Sequence, residues 1–68
     1  MPKDKELMKM KKQELFENTV KAMDNYTKAI EMDMPDFENY YNCKMKEYFA
    51  EIDSRGLNGE FEAFALVV

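Results

Sequence analysis

The sequence predicts an all-α protein: an antiparallel helical hairpin (about residues 5–31 and 35–55) followed by a short third helix (about residues 59–67). Three observations support this prediction. Apolar side chains recur at helical spacing in two long stretches. Pro35 lies between these stretches, and Gly56 and Gly59 interrupt the chain before its tail. Glycine and proline are otherwise almost absent, so these positions mark the element boundaries.

The first predicted helix is amphipathic from Leu15 onward. When residues are placed at steps of roughly 100°, its apolar side chains fall within an arc of roughly 180°. These side chains are Leu15, Phe16, Val20, Ala22, Met23, Tyr26, Ala29 and Ile30. Lys11 and Lys12 interrupt the stripe. We therefore expect the first turns to be loose and residues 1–8 to fray.

The second predicted helix starts around Pro35, because proline loses no helical hydrogen bond in the first turn. Asp36 and Glu38 follow, where carboxylates favour the positive end of a helix. Six apolar and aromatic side chains then share an arc of roughly 120°. They are Phe37, Tyr41, Met45, Tyr48, Phe49 and Ile52. Since only a few residues separate the two helices, they should pack antiparallel.

The end of the second helix and the tail have their own signals. Gly56 is placed to adopt a left-handed conformation, which would let Leu57 contact Ile52. Asn58 could cap a third helix. The apolar residues of that helix recur at i, i+3, i+4 and i+7, namely Phe61, Phe64, Ala65 and Val68. A strand would instead place Glu62 on the apolar face, so the helix separates polar from apolar side chains better.

The apolar tail has three possible uses. It could cover the part of the first helix that the second helix leaves open, and so close a three-helix unit. It could instead meet a second copy of the chain or another protein. It could also present a free C-terminal peptide, since the chain ends on two valines.

The length of 68 residues predicts one small domain, residues 1–68. A core of this size rarely contributes more than about 3–5 kcal/mol. Cys43 is the single cysteine, so no disulfide can form within the chain, and with no histidine the usual zinc sites are excluded. Regular helix packing and self-association remain as sources of stability. The wheel places Cys43 away from the apolar arc.

The residues needed for catalysis are missing. There is no histidine to act as a general base, and Ser54 is the only serine. Glycine-rich phosphate loops and the ligand spacing of metal sites do not occur. We therefore expect no enzymatic activity, no cofactor and no metal. The charged start of the chain resembles neither a signal peptide nor a membrane span, and a lone cysteine fits the cytoplasm.

Charge is distributed unevenly. The net charge is −4, but residues 1–12 carry +3, from five lysines against two acids, and residues 13–68 carry −7. Direct binding to nucleic acid is not expected, because no basic face extends beyond the first dozen residues. The acids suggest a second function, in which the protein mimics nucleic acid and inhibits a DNA- or RNA-binding protein. The carboxylates of this decoy row would be Asp33, Asp36, Glu38, Glu47, Glu51 and Asp53.

The stretch NYTKAIEMDMPDFENYY resembles the second helix and following turn of a tetratricopeptide repeat. Tyr26, Ala29, Ile30 and Pro35 carry this resemblance, which covers about a quarter of the chain. The spacing to Pro35 is one residue longer than in the repeat, and the small-residue pattern of the next helix is absent. The resemblance implies a helical hairpin, and we do not assign the family.

The predicted function is binding to another protein. The apolar arc of the first helix is wider than one neighbouring helix can cover, which favours an adaptor or regulatory protein that forms a homo-oligomer. The predicted partner-binding residues are Phe16, Val20, Tyr40, Phe61 and Phe64. Tyr40 falls outside the main arc of its helix, and an exposed tyrosine is a common interface anchor.

Overall fold

The computed structural model describes residues 5–67, and all regular structure in that range is helical. The four helices are α1 (Lys5–Lys9), α2 (Lys12–Glu31), α3 (Pro35–Ser54) and α4 (Asn58–Val67). The long helices α2 and α3 form the predicted antiparallel hairpin. The shorter helices α1 and α4 pack at its open end, opposite the α2–α3 turn. The predicted fold class is confirmed.

The first predicted helix is divided into α1 and α2. Lys11 is extended, with φ −72° and ψ 157°, and it precedes the first residue of α2. The break falls where the two lysines interrupt the apolar stripe. It allows Leu7 of α1 to reach the buried core beside Leu15. Of the segment expected to fray, residues 1–4 lie outside the described residues, and Leu7 is buried.

Arg55, just after α3, holds α1 in place. Its Nη1 donates to the carbonyl of Met10 at 2.8 Å, and its Nη2 donates to Leu7 at 3.1 Å and to Met8 at 3.3 Å. These carbonyls lie at or just after the C-terminal end of α1, where carbonyls lack donors further along the helix; that of Leu7 also accepts from the amide of Met10 at 3.3 Å. The Nε of Arg55 also donates to Glu51 at 2.7 Å. One guanidinium thus ties the start of the chain to the end of α3.

The turn between α2 and α3 is built around Asp33, which has a positive φ of 53°. The amide of Asp33 donates to Ile30 at 3.1 Å, and the amide of Met34 donates to Ala29 at 2.9 Å. These two bonds satisfy carbonyls at the end of α2 in the pattern of a Schellman motif. Aspartate tolerates this conformation better than most residues. Pro35 then starts α3, as predicted.

The end of α3 repeats the same motif with glycine. Gly56 has a φ of 69°, its amide donates to Asp53 at 3.0 Å, and Leu57 donates to Ile52 at 3.0 Å. The predicted role of Gly56 is therefore confirmed. Asn58 does not act as the predicted cap: it is the first residue of α4, and its side chain donates to Asp53 at 2.8 Å.

The core lies at the open end of the hairpin. Its buried side chains come from all four helices and are Leu7, Leu15, Phe16, Ile52 and Phe61. Toward the turn, the buried residues of α2 are small: Thr19, Ala22 and Ala29. Small side chains let α2 and α3 approach closely, so the larger side chains of α3 cannot insert between them. Several of them are exposed instead, among them Phe37 and Tyr40.

Candidate partner-binding surface

Two of the five predicted partner-binding residues are buried. Phe16 and Phe61 are 4% and 7% exposed, and their rings meet edge to face with centroids 5.4 Å apart. The ring of Phe49 also meets that of Phe61, with centroids 5.9 Å apart. Phe16 and Phe61 therefore stabilise the fold, and a partner cannot reach them unless the helices separate.

Val20 and Phe64 lie at the border between core and surface. Both are partly buried against the core, and the ring of Phe64 lies 5.5 Å from that of Phe16. With Glu17 and Lys21 they line a shallow cleft of about 350 Å³. The tail thus packs on its own hairpin through Phe61 and Phe64, the first of its three possible uses. Val68, which was expected on the same face, lies outside the described residues.

Tyr40 is 53% exposed, as its position outside the apolar arc predicts. Its ring meets Tyr41 nearly at a right angle, with centroids 5.0 Å apart and planes inclined by 79°. The ammonium of Lys44 lies 5.7 Å from the centroid of Tyr40, within range of a cation–π interaction. These neighbours restrain a ring that is still half open to a partner.

A set of exposed apolar residues surrounds the α2–α3 turn, and we call it the turn-end patch. Its members and their exposed fractions are Ile30 (49%), Met32 (67%), Met34 (37%) and Phe37 (50%). Sequence reasoning assigned Ile30 and Phe37 to inward arcs and did not select this patch. The available signal was the recurrence of small residues on the buried face of α2, at Thr19, Ala22 and Ala29, where large core side chains are missing.

A groove runs along one side of the hairpin between α2 and α3. It consists of two adjoining clefts, of about 260 Å³ and 240 Å³, which share Asn25 and Tyr41. One cleft begins at Asn18, and the other ends at Met32 in the turn-end patch. We call this feature the α2–α3 groove. Its functional side chains are three lysines and three tyrosines: Lys21, Lys28, Lys44, Tyr40, Tyr41 and Tyr48.

The α2–α3 groove has the opposite charge to the rest of the protein. No carboxylate is among the residues that line its two clefts. Among residues 5–67, neither Lys21 nor Lys28 has a carboxylate within salt-bridge distance, and Lys44 has Glu47 at 3.9 Å. A chain with a net charge of −4 therefore keeps a locally positive groove.

The six acids of the predicted decoy row do not share one exposed face. Glu51 is only 7% exposed and accepts a hydrogen bond from Arg55. Asp53 accepts a hydrogen bond from Asn58, and Glu47 lies near Lys44. Three of the six carboxylates are thus engaged within the chain, and the geometry adds no support for a surface that imitates a row of phosphates.

The remaining chemical features are few. Cys43 is exposed, as the helical wheel predicts. In the described part of the chain, no three metal-ligating side chains come together. None of the helices in residues 5–67 has the length and apolar character that crossing a bilayer requires. Comparison of the chain with protein-family models, curated proteins and solved structures found no match.

Proposed function

We propose that this protein is a small non-catalytic adaptor or regulatory protein that acts in the cytoplasm by binding another protein, and that it also self-associates. The observation that carries the proposal is the turn-end patch. Its four apolar side chains are between 37% and 67% exposed and surround a single turn. Contiguous apolar surface on a small protein is typical of a binding site.

The position of the core supports this use. All five large buried side chains of the core cluster lie at the open end, and the turn end buries none of them. Its exposed residues are therefore free to serve an interface. Two of them, Met32 and Met34, have unbranched and polarisable side chains, which adapt to partners of different shape. Tyr40 and Tyr41 extend the same surface along α3 with side chains that often anchor interfaces.

The test is to replace Met32 and Phe37 together with glutamine. Both side chains are at least half exposed, so the substitutions remove apolar contact area without opening the core. The assembly state is measured by sedimentation equilibrium. Partners are captured from the source cells with a tag at the N-terminus and identified by mass spectrometry. We expect Met32→Gln/Phe37→Gln to dissociate more readily and to lose the specific partner.

A matched control is available on α4. Leu66 and Val67 are also apolar and are 86% and 83% exposed, but they lie away from the turn. Leu66→Gln/Val67→Gln should leave both assembly and partner capture unchanged. If the turn-end variant kept its assembly and every partner, the turn-end patch would not be the binding site. Circular dichroism of both variants confirms that the helices persist.

A further inference from the structure

We propose that the α2–α3 groove binds an acidic amphipathic helix of a partner protein. The inference rests on the proposed function and specifies the partner's chemistry. The partner helix would place its apolar side chains against the tyrosines and the turn-end patch. Its carboxylates would pair with Lys21, Lys28 and Lys44.

The dimensions of the groove suit a helix. From Asn18 to Met32 the groove follows α2 for about 21 Å, the length of about 14 helical residues. The residue that follows α1 lies beside the open end of this groove, since the side-chain amide of Asn18 is 4.0 Å from the sulfur of Met10. Beyond that point no helix of residues 5–67 covers the groove. A partner helix would therefore find the groove open between Asn18 and Met32.

Charge selects an acidic partner. Lys21 and Lys28 are two helical turns apart, about 10.5 Å along the axis, and both line the groove. Neither has an ion pair within the described chain, so a partner's carboxylates would not have to displace an existing one. The surrounding acidic surface repels misplaced acidic segments, which improves specificity for this one position.

The same groove suits nucleic acid poorly. Bases stack on open aromatic faces, but Lys44 occupies one face of Tyr40 and Tyr41 meets that ring edge-on. The groove contains no arginine, and a net charge of −4 repels a polyanion at long range. An amphipathic helix brings fewer charges and supplies the apolar contacts that Met32, Met34 and Phe37 require.

The test uses two synthetic helical peptides of about 14 residues. The first has leucines on one face and glutamates on both flanks of that face. The second has glutamine in place of each glutamate. Binding of each labelled peptide to the full chain is followed by fluorescence anisotropy. We expect the glutamate peptide to bind at least about tenfold more tightly, a difference of about 1.4 kcal/mol from several partly exposed ion pairs.

Charge reversal in the protein provides the second arm. Lys21→Glu/Lys28→Glu should weaken binding of the glutamate peptide at least about tenfold. It should also reduce the difference in affinity between the glutamate and glutamine peptides. The matched control is Lys11→Glu/Lys46→Glu, which changes the net charge equally at two exposed lysines outside the groove. We expect the control to weaken binding less than about threefold, because its charges act only at long range.

Several results would overturn the proposal. These are no binding of the glutamate peptide, equal binding of the two peptides, or equal losses in the groove variant and the control. A single-stranded oligothymidine that bound the groove more tightly than the peptide would identify nucleic acid as the occupant. Wild-type dimers that dissociated only in the groove variant would identify a second copy.

The two proposals can fail separately. Lys21 and Lys28 are not part of the turn-end patch, so the groove variant changes charge and leaves the patch intact. If the glutamate peptide does not bind but Met32→Gln/Phe37→Gln still abolishes partner capture, the acidic helix is wrong and the adaptor function stands. If Met32→Gln/Phe37→Gln keeps its assembly state and every partner, the proposed adaptor function is wrong, whether or not the glutamate peptide binds.

Discussion

Replacing Arg55 with methionine should release α1 from the rest of the protein. Methionine keeps most of the apolar stem but removes every donor of the guanidinium. The three bonds to the carbonyls of Leu7, Met8 and Met10 are lost, together with the bond to Glu51. Since Glu51 lies in a buried position, loss of that charged bond is more costly than loss of a surface pair.

The magnitude follows from these contacts. A hydrogen bond to a charged group contributes about 1.5–3 kcal/mol. The four bonds share one guanidinium that is still 23% exposed, so their contributions do not add fully. We expect a loss of about 2–3 kcal/mol in the free energy of unfolding. This is a large part of the roughly 3–5 kcal/mol that a core of this size supplies.

Urea unfolding at low temperature, followed by circular dichroism, measures that loss. Hydrogen exchange at the amide of Met10, which donates within the last turn of α1, reports whether α1 has separated. Lys12→Met serves as the control, because it removes an ion pair to Glu60 in which both side chains are more than half exposed. That pair should contribute less than about 1 kcal/mol.

An intermediate variant sharpens the test. Arg55→Lys keeps the positive charge but cannot reach three carbonyls and a carboxylate with one ammonium group. The free energy of unfolding of Arg55→Lys should lie between those of the wild type and Arg55→Met. If Arg55→Met lost no more stability than Lys12→Met, the hydrogen bonds of Arg55 would not be what holds α1, and the contacts of Leu7 would have to do so alone.

Three further predictions concern single positions. Asp33→Gly should stabilise the protein by about 0.5 kcal/mol in urea unfolding, because glycine relieves the strain of the left-handed conformation. The greater conformational entropy of glycine in the unfolded chain offsets part of this stabilisation. A loss of stability would show that the aspartate side chain contributes at the turn. Phe61→Ala should lower the free energy of unfolding by about 3–5 kcal/mol and leave little folded protein by circular dichroism. Phe64→Ala, at a half-buried site, should lower it by about 2 kcal/mol. Equal losses in the two variants would contradict the position of the core. Cys43→Ser should shift the melting temperature by less than about 2 °C, since the thiol is exposed, and a larger shift would show that the thiol is involved in packing or in a cross-link.

The fold was largely predictable because its signals are local. Pro35 starts α3 and Gly56 follows its end. Both positions depend on the local backbone conformation that these residues favour, and not on the rest of the chain. The break before α2 coincided with the two lysines that interrupt the stripe. The contacts of Arg55 could not be predicted, because they join residues 45 to 48 positions apart and depend on where α1 packs.

The candidate surface was harder to predict. A helical wheel shows which side chains share a face, but not how deeply a neighbouring helix covers them. Phe16 and Ile30 fall in the same arc of α2, yet Phe16 is buried under α4 and Ile30 is exposed near the turn. The difference arises from the small buried residues of α2 and from the shortness of α4, and both act through tertiary packing.

The bond between Arg55 and α1 also sets an order of events during folding. Helix α1 is synthesised before the side chain that holds it, which follows 45 to 48 residues later. The local contacts of the hairpin can form earlier, because they close shorter loops. During synthesis, α1 therefore cannot form these bonds until Arg55 has been added to the chain. Any cleavage that removes the residues after Ser54 also removes Arg55, so α1 should lose these bonds together with α4.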